Sequence, residues 1–355
     1  MSEIIKKFDK HFDHRVIHTG QNADPNLKDV FFEELGLRKP DAYFDGDHNS
    51  LGEFLAHLFV KMEAELTSNR TDALVILGDT NSALSAILAK RFDIPIYHLE
   101  AGNRSFDANV PEEINRRIVD NTADFNLVYT TLARNNLLAE GIHPRRLALT
   151  GTPLTEVLDV NRKKISQSKV LTELNLTKSD YFLVSIHRQE NVDFPDRLNL
   201  LLDSLNAVAE KFDCPVLIST HPRTRKRLEE SNVILDSRLN FHTPFGFIDY
   251  IALQQNSRVV LSDSGTISEE SAILNFPAIT IRDSMERPEA LEAGNIIMSG
   301  IKKEQLLESI EILESSGLSR EIPTEYQIPD VSTRVLNYVL STVHQHAAWA
   351  GLHQR

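Results

Sequence analysis

Along the chain, short and mostly apolar runs alternate with longer stretches in which apolar residues recur every three to four positions. The runs at 73–77, 94–99, 125–129 and 147–150 read as strands buried on both faces, as parallel strands are, with a further strand at 15–18. Helices are expected at 4–8, 27–35, 50–66 and 131–139; over 50–66, Leu51, Phe54, Leu55, Leu58, Phe59 and Met62 keep a 3.6-residue period. Thr80 or Asn81 is expected to cap a helix reaching Lys90, and Pro111 to open another from its first position. The alternation lapses over 159–179, a polar stretch rich in Lys, Ser and Asn. It resumes with strands at 181–186, 216–219, 239–242, 259–261 and 278–281, and helices at 198–212, 223–228, 248–255, 267–275, 305–313 and 331–344. The tail 344–355 carries no pattern. A β-loop-α rhythm met twice predicts an α/β chain with two Rossmann-like, doubly wound domains at 1–160 and 180–330. A connection at 161–179 joins them, and a ligand crevice is expected between them.

Composition narrows the function classes. The 355 residues are 41% hydrophobic and 25% charged, as in a soluble globular protein, and are enough for two cores. A net charge of −13 argues against a general nucleic-acid or membrane-surface binder while leaving room for a local basic pocket. The single cysteine, Cys214, excludes internal disulfides and cysteine-based metal sites, and fits core packing in a reducing, cytoplasmic setting. No run is long enough to span a membrane, and the opening residues lack an apolar signal core.

Chemistry concentrates after the strands. From His98 to Arg116 the chain leaves a strand, crosses a glycine-containing loop with Glu100, Arg104 and Asp107, and enters a helix carrying Glu112, Glu113, Arg116 and Arg117. Carboxylates beside arginines at the C-terminal end of a strand are how an open α/β sheet builds a site for an anionic ligand. Glu113 and Arg117 instead fit an ordinary i,i+4 ion pair. Gly78-Asp79-Thr80 follows another strand. In the second half, Ser264-Gly265-Thr266 opens a helix and offers free N–H groups to a diphosphate, with Gly265 permitting close approach. Glu270, one turn further, suits ribose hydroxyls, and Tyr250 suits a base. His187-Arg188 at a strand end suits phosphate, and His221 repeats that signal more weakly, whereas His18, His98 and His242 read as core or rim. The chain has no metal-ligand spacing, no G-x-G-x-x-G and no phosphate-binding P-loop, so no metal and no tightly held dinucleotide is expected. The residues together point to a nucleotide diphosphate held by the second domain and to Asp79, Glu100 and Glu112 acting on a sugar from the first.

At these residues the chain resembles the non-hydrolysing UDP-N-acetylglucosamine 2-epimerases. The matching motifs are Gly78-Asp79-Thr80, His98-Leu-Glu-Ala-Gly102, Pro111-Glu-Glu-Ile-Asn-Arg116, His187-Arg188, Asp263-Ser-Gly265, Glu269-Glu270, and Arg282-Asp283 with Glu286-Arg-Pro-Glu289. The resemblance implies a GT-B-like fold, the two-domain architecture shared with one large class of glycosyltransferases, with the active-site cleft between the domains and the C-terminal 331–355 returning to the first domain. It implies a UDP-N-acetyl sugar substrate, no cofactor and a homodimer. UDP leaves C1, a base removes the C2 proton, and UDP adds back as a proton arrives on the other face. Asp79, Glu100 and Glu112 become the acid, base and charge-stabilising groups; His187 and Arg116 hold the leaving diphosphate; Ser264, Gly265, Thr266, Glu270, Tyr250 and Arg282 bind the nucleotide. The variants Ala101-Gly-Asn-Arg-Ser-Phe-Asp107, Val110-Pro-Glu-Glu113 and Ser185-Ile-His-Arg-Gln-Glu-Asn191 are similar to the branch that converts UDP-2-acetamido-2,6-dideoxy-L-talose to UDP-N-acetyl-L-fucosamine for surface polysaccharide.

Two departures qualify the resemblance. The family opens with a strand and a Gly-Thr-Arg-Pro-Glu loop before the helix with which this chain begins, so a less stable first domain is expected. Gly20-Gln21-Asn22 stands where the family has Gly-Gln-His, so no histidine role is carried there. The competing readings are a glycosyltransferase of the same architecture, a hydrolysing relative, and a non-catalytic UDP-sugar binder.

Overall fold

The structure, a computed structural model, describes residues 1–20, 25–46, 48, 50–107, 109–220, 227, 233–316 and 321–352. It divides into two compact units, Met1–Asp159 with Thr324–Arg355, and Val160–Pro323. The polar stretch expected as a connection is helical: the helix Leu154–Ser166 carries the chain past Asp159, and a short helix Val170–Glu173 follows.

In the first unit the strands fall into two parallel sheets. β1 (Ile17–His18) pairs with β2 (Ala42–Tyr43). β3 (Leu74–Leu77), β4 (Ile96–Leu99), β5 (Phe125–Val128) and β6 (Leu147–Leu149) pair in that order. β4 and β5 are fully buried, while the edge strand β3 is half-buried and Leu77 is 37% exposed. One core forms where Ile4 and Phe8 of the helix Ser2–His11 and Val335 and Val339 of the helix Val331–Thr342 meet Tyr97, Leu99 and Phe125. Another forms where Phe54, Leu58 and Met62 of the helix Leu51–Ser68 meet Ala86, Ile96 and Val119. Each such aliphatic side chain, fully buried, contributes about 1.5–3 kcal/mol. Ser50 caps the helix Leu51–Ser68 by accepting from Glu53 N, and Thr130 caps Thr131–Ala139 in the same way.

The expected helix from Asn81 to Lys90 is not continuous. A 3-10 stretch, Asn81–Ser85, precedes a short α-helix, Ala86–Arg91, and Thr80 makes no side-chain capping bond. Asn81 does not cap because its side-chain oxygen accepts from Asn115 Nδ2 at 2.9 Å. The tail that reads as patternless contains a 3-10 turn, Val343–Gln345, and a helix, His346–Ala350. His346 is buried there against Asp124, and Trp349 lies under the Arg145 guanidinium.

The second unit holds one parallel six-stranded sheet of β7 (Phe182–Ile186), β8 (Val216–Thr220), β9 (Leu239–His242), β10 (Val259–Ser262), β11 (Ala278–Thr280) and β12 (Ile297–Met298), in the order β12-β11-β10-β7-β8-β9. The chain winds outward from β7 through β8 to β9, then restarts on the other side of β7 with β10. That reversal is a topological switch point, and open α/β sheets bind ligands at the carboxyl ends of the two strands flanking it. Phe182, Val184, Leu205, Val259 and Leu261 lie in its core, and Cys214 is buried with them. The expected helix at 223–228, and with it His221, lies outside the described residues, except for helical Arg227.

Candidate active site

In the first unit the site grows from the carboxyl ends of two neighbouring strands, since Leu77 of β3 is in register with Leu99 of β4. The chain turns at once after each. Gly78 has φ +70° and Glu100 has φ +67°, a conformation that disfavours any residue with a Cβ and is held only where surroundings enforce it. The result brings Asp79 and Glu100 to one guanidinium. Arg116, buried on the helix Pro111–Thr122, ion-pairs with Asp79 and lies 3.9 Å from Glu100 Oε1. Asn115 fastens the same turn by donating to the Asp79 carbonyl at 3.0 Å. Pro111 occupies the first helical position behind Val110, and Glu112 is exposed in the first turn. Glu113 pairs with Arg117 at 2.9 Å, the i,i+4 pair expected, and also accepts from Ser105 N at 3.0 Å. Thus Asp79, Glu100 and Arg116 converge, while Glu112 stands one turn before Arg116.

The second unit gathers its own polar groups at the switch point. Ser185 of β7 is in register with Ser262 of β10, so the segments leaving both strands emerge side by side. Asp263 sits fully buried between them. It accepts from His187 N at 3.1 Å, Arg188 N at 3.1 Å and Asn191 Nδ2 at 3.0 Å, and faces His187 Nδ1 at 2.9 Å. Burial alone would raise its pKa; the His187 charge and these donors outweigh that and hold it below the usual carboxylate range. The effect on His187, whose side chain is 48% exposed, runs the other way: desolvation lowers its pKa, but the Asp263 carboxylate prevails and raises it above 6.5.

Beside Asp263, Ser264 Oγ accepts from Thr266 N at 3.3 Å and shapes the turn into the helix Ile267–Leu274. A Cβ on Gly265 would stand 2.6 Å from Glu286 Oε1, so the backbone of this loop is held tightly from behind. Glu286 is gripped by Arg188 at 3.0 Å and Arg282 at 2.7 Å; despite its burial, these guanidinium groups and that of Arg287 depress its pKa strongly. Arg282 is therefore buried behind the loop, paired with Glu286. Arg287 pairs with buried Glu269 at 3.2 Å. Glu270 accepts from Gln254 Nε2 at 2.6 Å, and burial raises its pKa against that bond. Tyr250 lies one helical turn before Gln254; burial, with the nearby Glu270 carboxylate, raises the pKa of its phenol. No cluster with metal-ligand composition occurs among the described residues, and no helix there is long and apolar enough to cross a membrane.

Sequence reasoning passed over Asp120, Glu140 and the supporting parts played by Asp263 and Glu286. Asp120 and Glu140 carry no strand-end signal. Their importance arises from what folds against them: Asp120 pairs with Arg104 at 2.7 Å, and Arg104 with Glu140 at 2.6 Å.

Comparison with known proteins places the chain in a family. The sequence model of the family described as UDP-N-acetylglucosamine 2-epimerase matches residues 6–340. A UDP-N-acetylglucosamine 2-epimerase structure from Rickettsia bellii is 40% identical with a TM-score of 0.91, covering 98% of this chain and 94% of its own. The Methanocaldococcus jannaschii UDP-GlcNAc 2-epimerase, solved with UDP-GlcNAc and UDP, is 34% identical with a TM-score of 0.89, covering 96% and 95%. The UDP-2,3-diacetamido-2,3-dideoxy-D-glucuronate 2-epimerase of Pseudomonas aeruginosa is 31% identical over 91% of this chain and 90% of its own. The fold is the α/β, GT-B-like fold of these structures, and the chain belongs to the UDP-N-acetylglucosamine 2-epimerase family, a family of isomerases.

Proposed function

We propose that this chain inverts C2 of a UDP-2-acetamido sugar by eliminating and re-adding UDP. The observation that carries the reading is the convergence of two carboxylates, Asp79 and Glu100, on the buried Arg116 guanidinium at adjacent strand ends. The C2 proton of such a sugar has no neighbouring carbonyl to acidify it. The C1–O bond breaks first, and UDP departs with the bonding pair. A carboxylate then takes the C2 proton, leaving a glycal with a C1–C2 double bond. In the return step a proton is delivered to C2 from the opposite face and the diphosphate oxygen bonds again to C1. Atoms and electrons balance without an external oxidant or reductant.

Two faces require two proton-handling groups, which is the part assigned to Asp79, Glu100 and Glu112. His187, whose pKa Asp263 raises, and Arg116 meet the charge that develops on the leaving diphosphate. Ser264, Gly265 and Thr266 hold phosphate at a helix N-terminus, Glu270 the ribose and Tyr250 the uracil, while Arg282 supports the loop from behind through Glu286.

For the substrate, the motif variants at 101–107, 110–113 and 185–191 support UDP-2-acetamido-2,6-dideoxy-L-talose, giving UDP-N-acetyl-L-fucosamine. The names of the relatives favour a second reading, UDP-N-acetylglucosamine to its manno epimer. Offering each UDP-sugar separately and resolving the products by anion-exchange chromatography decides between them. A C2 epimer from either supports the proposed reaction and names its substrate; free sugar accumulating with UDP contradicts it in favour of hydrolysis.

A further inference from the structure

The first unit contains a buried histidine–aspartate pair that the proposed chemistry does not use. His98 and Asp120 are both fully buried. His98 Nδ1 is 2.9 Å from Asp120 Oδ1, and its Nε2 is 2.8 Å from the carbonyl oxygen of Gly78. Both of these partners are acceptors, so making both bonds requires a hydrogen on each ring nitrogen. Asp120 is placed to balance that charge. It also receives Gly102 N at 3.2 Å and the Arg104 guanidinium at 2.7 Å; His98 first, and Arg104 after it, hold its carboxyl below the usual carboxylate range against burial.

What the ring touches matters more than its charge. Gly78 immediately precedes Asp79, and Glu100 lies two residues after His98 and two before Gly102. One imidazole with its carboxylate therefore spans both turns that carry the converging groups: Nε2 grips the Gly78–Asp79 turn, and Asp120 grips the Glu100–Gly102 turn through Gly102 N. A Cβ at Gly78 would sit 3.6 Å from Glu100 Oε2, so the Glu100 carboxylate lies over the very peptide that His98 holds. Both turns need positive φ, at Gly78, Glu100 and Gly102, and such backbone persists only when its surroundings over-determine it.

We infer that His98 is a positioning residue, a doubly donating imidazole that fixes Asp79 and Glu100 relative to one another for proton transfer. This rests on the epimerase reading above. Misplacing catalytic groups by about an ångström costs around 100-fold in rate, which sets the effect to look for.

The test uses two substitutions of the full chain, scored by kcat, KM, UDP affinity and melting temperature. His98→Gln keeps a donor near the Nε2 position, toward Gly78; His98→Asn keeps one near the Nδ1 position, toward Asp120. The expected result is kcat about 100-fold lower in His98→Asn, KM and UDP affinity within about threefold, and His98→Gln within about tenfold of the wild type. Similar melting temperatures for the two variants would show that stability does not explain the split. Equal kcat in the two variants, or losses that simply follow melting temperature, would overturn the inference. A second reading stands even if the variants fail to fold: an ¹H–¹⁵N spectrum of the wild-type ring should show protons on both nitrogens, and a bare nitrogen would refute the two-donor assignment. A wild type that binds UDP but epimerises nothing speaks instead against the epimerase reading.

Discussion

Asp79, Glu100 and His187 each stand directly after a strand or one residue beyond it, which is why their polarity was legible in the sequence: an apolar run that ends in an isolated carboxylate or imidazole marks the ligand edge of a parallel sheet. Asp120 was not legible. It sits in Pro111–Thr122 among many acidic, basic and amide residues, and only the arrival of His98 and Arg104 makes that carboxylate a buried anchor. Two predictions belong at this scale. Glu100→Gln removes a group proposed to handle protons but none of the groups assigned to UDP, so kcat should fall by about 100-fold or more while calorimetry finds UDP affinity within about threefold. A wild-type rate would remove Glu100 from the mechanism. For His187, whose folded-state pKa lies above 6.5, the charge is present below that pKa and lost as pH rises through it. UDP affinity should accordingly decline with rising pH about a midpoint above 6.5, and Asp263→Asn should move that midpoint down. A titration in which the midpoint ignores Asp263 would contradict the assignment.

Among the elements, those with several consecutive buried positions were readable and those held by a few contacts were not. β4, β5, β7 and β10 announce themselves as apolar runs, whereas β1, β2 and β12 are two residues each, too short to display a period. The 3-10 stretch Asn81–Ser85 escaped notice because the side chain expected to start an α-helix there is drawn off by Asn115. The loop between β4 and Pro111–Thr122 depends on one glycine for a reason visible only in three dimensions. Gly102 has φ +80°, and a Cβ there would lie 2.3 Å from the Ala133 carbonyl oxygen and 2.9 Å from Leu137 Cγ. Gly102→Ala should cost at least about 2 kcal/mol in urea denaturation, combining backbone strain with displacement of the helix Thr131–Ala139. A loss below about 0.5 kcal/mol, as for an ordinary surface change, would show that this loop gives way easily.

At the scale of the whole chain, the division into two α/β units follows from a rhythm that the sequence displays twice, while the segment expected as a polar connection is helical because Val157, Leu158 and Ile165 bury one face and exposed Arg162, Lys163 and Lys164 are good helix formers on the other. The groups proposed for the chemistry come from both units: two carboxylates on a guanidinium in Met1–Asp159, and a histidine paired with a buried carboxylate and buried arginines in Val160–Pro323. Under the proposed function both sets of groups serve one reaction, loss and return of UDP across C1 and C2 with the C2 proton exchanged. Proton NMR in D₂O tests it most directly, with UDP-2-acetamido-2,6-dideoxy-L-talose and UDP-N-acetylglucosamine offered in turn. The account predicts that the sugar which reacts gains deuterium at C2 as its epimer forms. Epimer that retains its C2 proton, or UDP binding with no exchange in either sugar, would contradict it.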